Sequence, residues 1–189
     1  MTNKTYRFET EIRAAAEKNQ IPFELLYAQV GQESSYYSLA TSKCGARGLL
    51  QLMPATGAEM GLKEHEFFDV EKNLEAGAAY LRRQYRAAKN FITSLKNVTN
   101  ACIEDDYWMF GLASYNGGLG YTLKSINICI QEGLSIRWQN VESFYSDERC
   151  QVRGKRPDHK QITDYVRKIW AKYKKTVSVN SDSVTEKEV

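Results

Sequence analysis

The arrangement that limits the possible folds most is a run of helically spaced apolar residues that ends in a carboxyl group. Leu26, Val30 and Glu33 follow one another at steps of four and three residues, which places them on one face of an α-helix. Pro22 suits the first turn of that helix, because its missing N–H would have no partner there. Glu33 therefore occupies a position at which an apolar side chain is expected.

The environment of Glu33 decides what this carboxyl group can do. Desolvation on an apolar face favours the neutral form and raises the pKa, and a protonated carboxyl is the donor that cleavage of a glycosidic bond requires. A lone Glu at a helix end is more often a solvated residue. Here the next residues form a polar turn with Gly45 and Gly48, which let backbone approach a ligand closely. Gln51 then stands in an apolar run, and we interpret the whole stretch as a groove that contains an acid.

Four motifs follow one another between about Ile21 and Trp170. In order they are Glu33-Ser34 with Ser42 and Gly45-Ala46-Arg47-Gly48-Leu49-Leu50-Gln51-Leu52-Met53-Pro54-Ala55-Thr56, then Asn73-Leu74-Glu75-Ala76-Gly77-Ala78-Ala79-Tyr80-Leu81, then Ser114-Tyr115-Asn116-Gly117-Gly118, and last Tyr165-Val166. This order resembles the lytic transglycosylases that carry the soluble-lytic-transglycosylase catalytic domain, which are relatives of goose-type lysozyme. The segment between the third and fourth motifs is longer than is usual in that family.

The resemblance implies an enzyme that cleaves the β-1,4 bond between N-acetylmuramic acid and N-acetylglucosamine in peptidoglycan, with formation of 1,6-anhydromuramic acid. Glu33 would act first as the acid and then as the base, and the N-acetyl group of the substrate would stabilise the reacting centre. A hydrolytic muramidase on the same scaffold is the alternative, because goose-type lysozymes use water. A wall-binding subunit without activity is a third reading.

The resemblance also implies a set of substrate contacts: Ser42, Gln51, Met53, Tyr115, Asn116 and Tyr165. In this set Ser42 and Asn116 would bind an acetamido group, Gln51 would hold a sugar or orient Glu33, Met53 would wall a subsite, Tyr115 would contact a sugar, and Tyr165 would reach the catalytic acid. Local explanations stay open for several of them. Ser42 suits a turn that bonds its own backbone, Met53 suits a core, and Tyr115 and Tyr165 suit packing.

The remaining pattern is helical, and no alternating strand pattern exceeds a few residues, so we predict a mostly α, lysozyme-like single domain over residues 1–174. A small β hairpin near the groove stays open, and residues 175–189 are predicted to be a disordered tail. Phe67 and Phe68 are expected in the core. The predicted helices, besides that of Glu33, are Thr5–Lys18, Pro54 to Gly61, one capped by Asn73 and running to Lys89, Asp105–Ser114, Tyr121–Gln131, Trp138–Tyr145 and Gln161–Lys174.

Composition limits the classes of binding partner and cofactor that we expect. A chain of 189 residues with a formal net charge of +3 is long enough for one domain and shows no dense basic patch, so we expect a monomer that binds peptidoglycan and no nucleic acid. The four cysteines form no Cys-x-x-Cys pair and the two histidines lack the spacing of metal ligands, so we expect no metal and no cofactor. Cys44 is expected to be a small packing residue, and His65 and His159 are expected at the surface.

The first residues bear on where the protein acts. Met1 to Glu11 are polar and include no apolar segment of the kind found in secretory signal peptides, and no apolar run reaches the length of a membrane span. We therefore expect a product made in the cytoplasm that acts on the bacterial cell wall. A phage-type lysin released during lysis, or a protein carried by a virion, would fit that expectation.

Overall fold

The computed structural model describes residues 7–96 and 102–185, with side chains as far as residue 178. Within these ranges the fold is mostly α, as predicted. The helices there are α1 (Glu9–Lys18), α2 (Phe23–Ser34), α3 (Pro54–Glu59), α4 (Val70–Ser94), α5 (Glu104–Gly117), α6 (Leu119–Gln131), α7 (Trp138–Val141) and α8 (His159–Thr185), with short 3-10 turns at Glu64–Glu66 and Glu142–Tyr145.

Antiparallel pairing among the described residues is limited to isolated bridges. Two of them, Thr41 with Arg47 and Arg47 with Leu52, lie in the loop after α2. The hairpin that the sequence left open near the groove is therefore present only as these two single bridges. None of the helices in the described ranges is long and apolar enough to cross a lipid bilayer.

The described residues form two compact units. One contains the chain up to Tyr80 together with the residues from Lys168 onward, and the other is Leu81–Arg167. Helices α1, α2 and α3 belong to the first unit, whereas α5, α6 and α7 belong to the second.

In the first unit α1 packs against α2. Ile12, Ala15 and Ala16 of α1 are buried, as the helical spacing predicts for Ile12 and Ala15. The helix begins later than predicted, because Phe8 adopts a left-handed φ of 57° and the first helical residue is Glu9. The predicted start at Thr5 lies outside the described residues.

The start of α4 corrects a prediction about Asn73. The residue before the helix is Asp69, whose Oδ1 accepts a hydrogen bond from the backbone N–H of Lys72 at 3.0 Å, and Asp is a favoured N-cap. Asn73 lies inside the helix and its amide is used for contacts to other segments. The helix also continues past the predicted end at Lys89, to Ser94.

The C-terminal ends of α5 and α8 also differ from the prediction. The Tyr115-Asn116-Gly117 stretch was expected to break α5, but the helix includes it and ends where Gly118 adopts a φ of 98°. The last helix was expected to end at Lys174 and instead continues to Thr185, so the predicted disordered tail from Lys175 is helical that far.

The second unit contains a buried carboxylate, Asp106, whose residue is 2% exposed. Its carboxylate accepts hydrogen bonds from the backbone N–H of Ile103 at 3.0 Å and of Trp138 at 2.8 Å, and from Nε of Arg137 at 2.6 Å. A buried carboxylate with this many donors is compensated for its loss of water. Asp106 therefore joins the start of α5 to the start of α7.

The four cysteines are free thiols. Cys44 is exposed, so the prediction that it is a small packing residue is wrong: it lies in a turn where residues 41 and 43 are exposed as well. Cys102 is partly buried, and burial raises the pKa of its thiol to about 12. Such a thiol is protonated at neutral pH and is a poor nucleophile.

Candidate active site

Glu33 lies in the last turn of α2 and its side chain is half-buried. The helix ends one residue later, and the chain then passes through two left-handed residues, Ser35 with φ 51° and Tyr36 with φ 61°. Non-glycine residues adopt this conformation only where the surrounding structure holds them there. The sharp exit after Glu33 is therefore a fixed feature of the fold.

Tyr36 holds this exit by folding back over the helix. Its hydroxyl donates a hydrogen bond to the carbonyl oxygen of Tyr27 at 3.2 Å, and the two rings lie 4.7 Å apart between centroids. Gly31 makes room for the ring, since a Cβ there would lie 2.6 Å from the Tyr36 hydroxyl. The direction in which the chain leaves Glu33 thus depends on Gly31, two residues earlier in the helix.

The loop after α2 is bonded mostly to itself. Gln51, with φ 46°, donates from Nε2 to the carbonyl oxygens of Ala40 at 3.1 Å and Gly48 at 2.9 Å. The N–H of Gly48 donates to the same Ala40 carbonyl at 2.9 Å. The amide of Gln51 therefore ties the two halves of the loop together, a role that sequence reasoning missed.

Ser42 closes a smaller turn inside this loop. Its hydroxyl accepts a hydrogen bond from the N–H of Ala46 at 3.0 Å, and its own N–H donates to the Ala46 carbonyl at 2.9 Å. This is the local turn that the sequence left open as an alternative. A contact from Ser42 to an acetamido group stays a prediction.

The side chain of Asn73 holds the loop after α2 through hydrogen bonds to its backbone. This side chain is fully buried. Its Oδ1 accepts from the N–H of Leu50 at 2.9 Å, and its Nδ2 donates to the carbonyls of Phe67 at 2.9 Å and Arg47 at 3.2 Å. Gly48 lies against it, because a Cβ there would be 2.3 Å from Nδ2. The second motif therefore supports the first.

Several apolar side chains of this region are exposed. Met53 is 43% exposed, which contradicts the core alternative, and its role as the wall of a subsite stays a prediction. Phe68 is 37% exposed, so its predicted place in the core is wrong, whereas Phe67 is buried as predicted. Tyr37 and Leu39, which the sequence analysis did not single out, are more than half exposed on the same loop as Ser42. Large apolar residues within a polar turn are the signal that could have identified them.

Two acids that follow the loop along the chain, Glu64 and Glu66, have partners of their own. The sequence has no Asp or Glu between Glu33 and Glu59. Glu64 forms an ion pair with Arg47. Glu66 is held ionised, because the hydrogen bond from the Lys72 ammonium group, followed by that from the Lys63 N–H, lowers its pKa to about 2. The role of Glu33 as the catalytic acid stays a prediction.

The third motif lies at the end of α5, in the second unit. Tyr115 and Asn116 are half-buried, and Oδ1 of Asn116 accepts a hydrogen bond from Nε2 of Gln161 at 3.4 Å. A Cβ at Gly117 would lie 2.2 Å from Ile162, so the end of α5 packs directly against the start of α8. Tyr165, in the same helix as Ile162, is buried. The structure brings the third and fourth motifs onto two touching helices.

Residues 7–96 and 102–185 contain no group of three or more His, Cys, Asp and Glu side chains arranged to hold a metal ion. His65 and His159 are both exposed, as predicted. The geometry of the site thus consists of one half-buried carboxyl group, amides, hydroxyls and exposed apolar side chains.

Comparison with known proteins identifies a family. A family model described as the transglycosylase SLT domain matches residues 10–129. Membrane-bound lytic murein transglycosylase F of Desulfosudis oleivorans is 32% identical over 140 residues, which is 72% of this chain and 28% of that protein. The protein of the same name from Ectopseudomonas mendocina is 30% identical over 164 residues, 81% of this chain and 31% of that protein. The chain thus spans less than a third of the length of these relatives.

Two solved structures share the fold. An inactive mutant of the lytic transglycosylase Slt from Pseudomonas aeruginosa aligns with 92% of this chain and 25% of its own, with a TM-score of 0.63 and 17% identity. The 70 kDa soluble lytic transglycosylase from Escherichia coli aligns with 90% of this chain and 24% of its own, with a TM-score of 0.62 and 19% identity. At this level of identity the likeness establishes the fold alone.

Proposed function

The chain belongs to the transglycosylase SLT family, and from that premise we propose that it is a peptidoglycan lytic transglycosylase with Glu33 as its acid and base. The substrate is the β-1,4 bond between N-acetylmuramic acid and N-acetylglucosamine. The observation that carries the proposal is the half-buried carboxyl of Glu33 at a helix end fixed by Tyr36, immediately before a loop with no second carboxyl.

In the first step the Glu33 carboxyl gives its proton to the bridging oxygen, and the bond from C1 of the muramic acid residue to that oxygen breaks. Positive charge develops at C1, in an oxocarbenium-like state. The carbonyl oxygen of the substrate's own N-acetyl group stabilises that charge. Ser42 and Asn116 are each proposed to bind an acetamido group of the glycan.

In the second step the Glu33 carboxylate takes the proton of the 6-hydroxyl group, and O6 bonds to C1. The 1,6-anhydro ring closes, Glu33 is protonated again and no water is consumed. The lack of a second acid between Glu33 and Glu59 supports this route, because the two-carboxylate mechanisms need another Asp or Glu near the bond. Gln51 contributes by holding the loop.

The test is mass spectrometry of the muropeptides that the protein releases from purified peptidoglycan. We expect products that end in anhydromuramic acid, each lighter by one water than the product of hydrolysis. Glu33→Gln should abolish their release while the protein still sediments with the wall. Glu17→Gln, which changes an exposed Glu on α1, is the matched control and should release them at the wild-type rate.

Each other result would contradict part of the proposal. Products with ordinary reducing ends would identify a hydrolytic muramidase. Wall binding without any release by the wild type would identify a binding subunit. The route to the wall, release during phage lysis included, stays a prediction that fractionation of expressing cells tests.

A further inference from the structure

We infer that Tyr145 is a positioning residue for the proposed reaction. Its hydroxyl group fixes the last turn of α5, which carries the proposed substrate contacts Tyr115 and Asn116. This inference rests on the proposed function and concerns the second unit alone. It gives a role in the site to the long segment between the third and fourth motifs, because that segment contains Tyr145.

Three hydroxyl groups form a hydrogen-bonded chain from the 3-10 turn that ends at Tyr145 to α5. The Tyr145 hydroxyl donates to Oγ1 of Thr122 at 2.9 Å. The hydroxyls of Thr122 and Ser114 bond each other at 2.8 Å, and Oγ of Ser114 also bonds the carbonyl oxygen of Phe110 at 2.7 Å. The chain, called here the hydroxyl chain, therefore connects the side chain of Tyr145 to the backbone of α5.

The hydroxyl chain lies in the interior of the second unit. Ser114 and Thr122 are fully buried and Tyr145 is 1% exposed. Burial raises the pKa of the Tyr145 hydroxyl above its usual range, so this group stays protonated and remains a donor. Apolar side chains of similar shape would fill the same space without the cost of removing hydroxyls from water. What the hydroxyls add is direction, because hydrogen bonds have a preferred geometry and apolar contacts do not.

The bond between Thr122 and Ser114 crosses the corner at which α5 meets α6. Ser114 is in the last turn of α5 and Thr122 is in the first turn of α6. Between them Gly118 has a φ of 98°, and its N–H donates to the carbonyl of Ser114 at 2.9 Å. The two bonded hydroxyls therefore fix the angle at which the second helix leaves the first.

Tyr115 and Asn116 directly follow Ser114, so their side chains move with this turn. Neighbouring residues of a helix project about 100° apart, and a rotation of the turn would shift the Asn116 amide away from Gln161, whose Nε2 donates to it at 3.4 Å. A displacement of about 1 Å at a group that orients the substrate can slow a reaction about 100-fold. A hydroxyl behind the site can therefore change the rate without touching the substrate.

The ring of Tyr145 is held separately from its hydroxyl. Its centroid lies 6.1 Å from that of Trp138, whose own ring lies 5.9 Å from that of Phe110. The 3-10 turn that ends at Tyr145 also packs against α6. Because these contacts involve the ring and the backbone, Tyr145→Phe removes the hydrogen bond and keeps the packing.

The experiment measures kcat and KM separately on soluble glycan strands. We expect Tyr145→Phe to lower kcat about tenfold and to leave KM within about twofold, because a displaced sugar still binds but presents its bond in poorer alignment. Thr122→Val, which removes the middle hydroxyl, should have the same effect, and the double variant should lower kcat no further, since both changes break one chain. Thr122→Ser keeps a hydroxyl and should restore kcat to within about twofold of the wild type.

The matched control is Ser125→Ala. Ser125 is a fully buried hydroxyl of α6 that bonds Cys150 at 3.3 Å and lies outside the hydroxyl chain. Its kcat should stay within about twofold of the wild type. Unchanged kcat in Tyr145→Phe, an equal loss in Ser125→Ala, or no rescue by Thr122→Ser would overturn the inference while lytic activity stands.

Amide hydrogen exchange followed by NMR separates this inference from the proposed function, because it needs no activity. The N–H of Gly118, which closes the last turn of α5, should exchange about tenfold faster in Tyr145→Phe and at the wild-type rate in Ser125→Ala. Equal exchange in all three proteins would overturn the inference. A wild type that releases no products would refute the proposed enzyme, and faster exchange at Gly118 would then still support the role of Tyr145 in holding α5.

Discussion

Removing the amide of Asn73 tests how the loop after Glu33 is held. In Asn73→Ala the N–H of Leu50 and the carbonyls of Phe67 and Arg47 each lose a partner in the interior. A lost buried hydrogen bond that leaves its partner unsatisfied costs about 1–3 kcal/mol. The Arg47 carbonyl still accepts a hydrogen bond from the N–H of Leu52 at 3.0 Å, so we expect a loss of about 2–4 kcal/mol in the free energy of unfolding.

The assay is urea denaturation followed by circular dichroism, with Asn90→Ala as the control. Asn90 is exposed on the same helix, α4, so its replacement should change the free energy of unfolding by less than about 0.5 kcal/mol. Because Asn73 positions the loop, the variant should also release muropeptides more slowly in conditions where it remains folded. A loss below about 1 kcal/mol in Asn73→Ala would refute the view that this amide is the anchor of the loop.

Three further predictions concern the space beside two glycines, the stability at low pH and the reactivity of two cysteines. Gly48→Ala should cost at least about 2 kcal/mol more than Gly45→Ala in urea denaturation, because both have a positive φ but only Gly48 lacks space for a Cβ; equal losses would contradict the close contact. Glu66, with its pKa lowered from 4.5 to about 2, stabilises the folded state above pH 4.5, and this contribution is lost as the pH falls towards 2. The melting temperature of Glu66→Gln should therefore fall less over that range than the melting temperature of the wild type. Iodoacetamide at pH 8 should label exposed Cys44 well before Cys102, as measured by peptide mass spectrometry, and faster labelling of Cys102 would oppose its burial.

The local patterns of the sequence were sufficient for the helices that carry the site. Pro22 and the apolar spacing predict α2 and place Glu33 in its last turn, and the structure agrees. Pro54 likewise begins α3. These predictions succeed because a helix depends on residues three and four positions apart, which a sequence displays directly.

Predictions failed where a residue has two possible roles. Asn is a residue type that is common at N-caps, but the N-cap of α4 is Asp69. The Asn73 side chain instead forms hydrogen bonds with three backbone groups that are distant in sequence. Phe68 is apolar but 37% exposed. In each case the outcome depends on which segment packs nearby, and that information is not local.

What the sequence alone determined is the helical class, the position of Glu33 and membership of a family, because periodicity and motif order are properties of neighbouring positions. What only the tertiary structure decided is how the loop after Glu33 is held and that the end of α5 packs against the start of α8. The bonds of Asn73 and the contact of Gly117 with Ile162 join positions far apart in the chain. Hydrogen bonding and close packing act through space, so these roles exist only once the chain has folded.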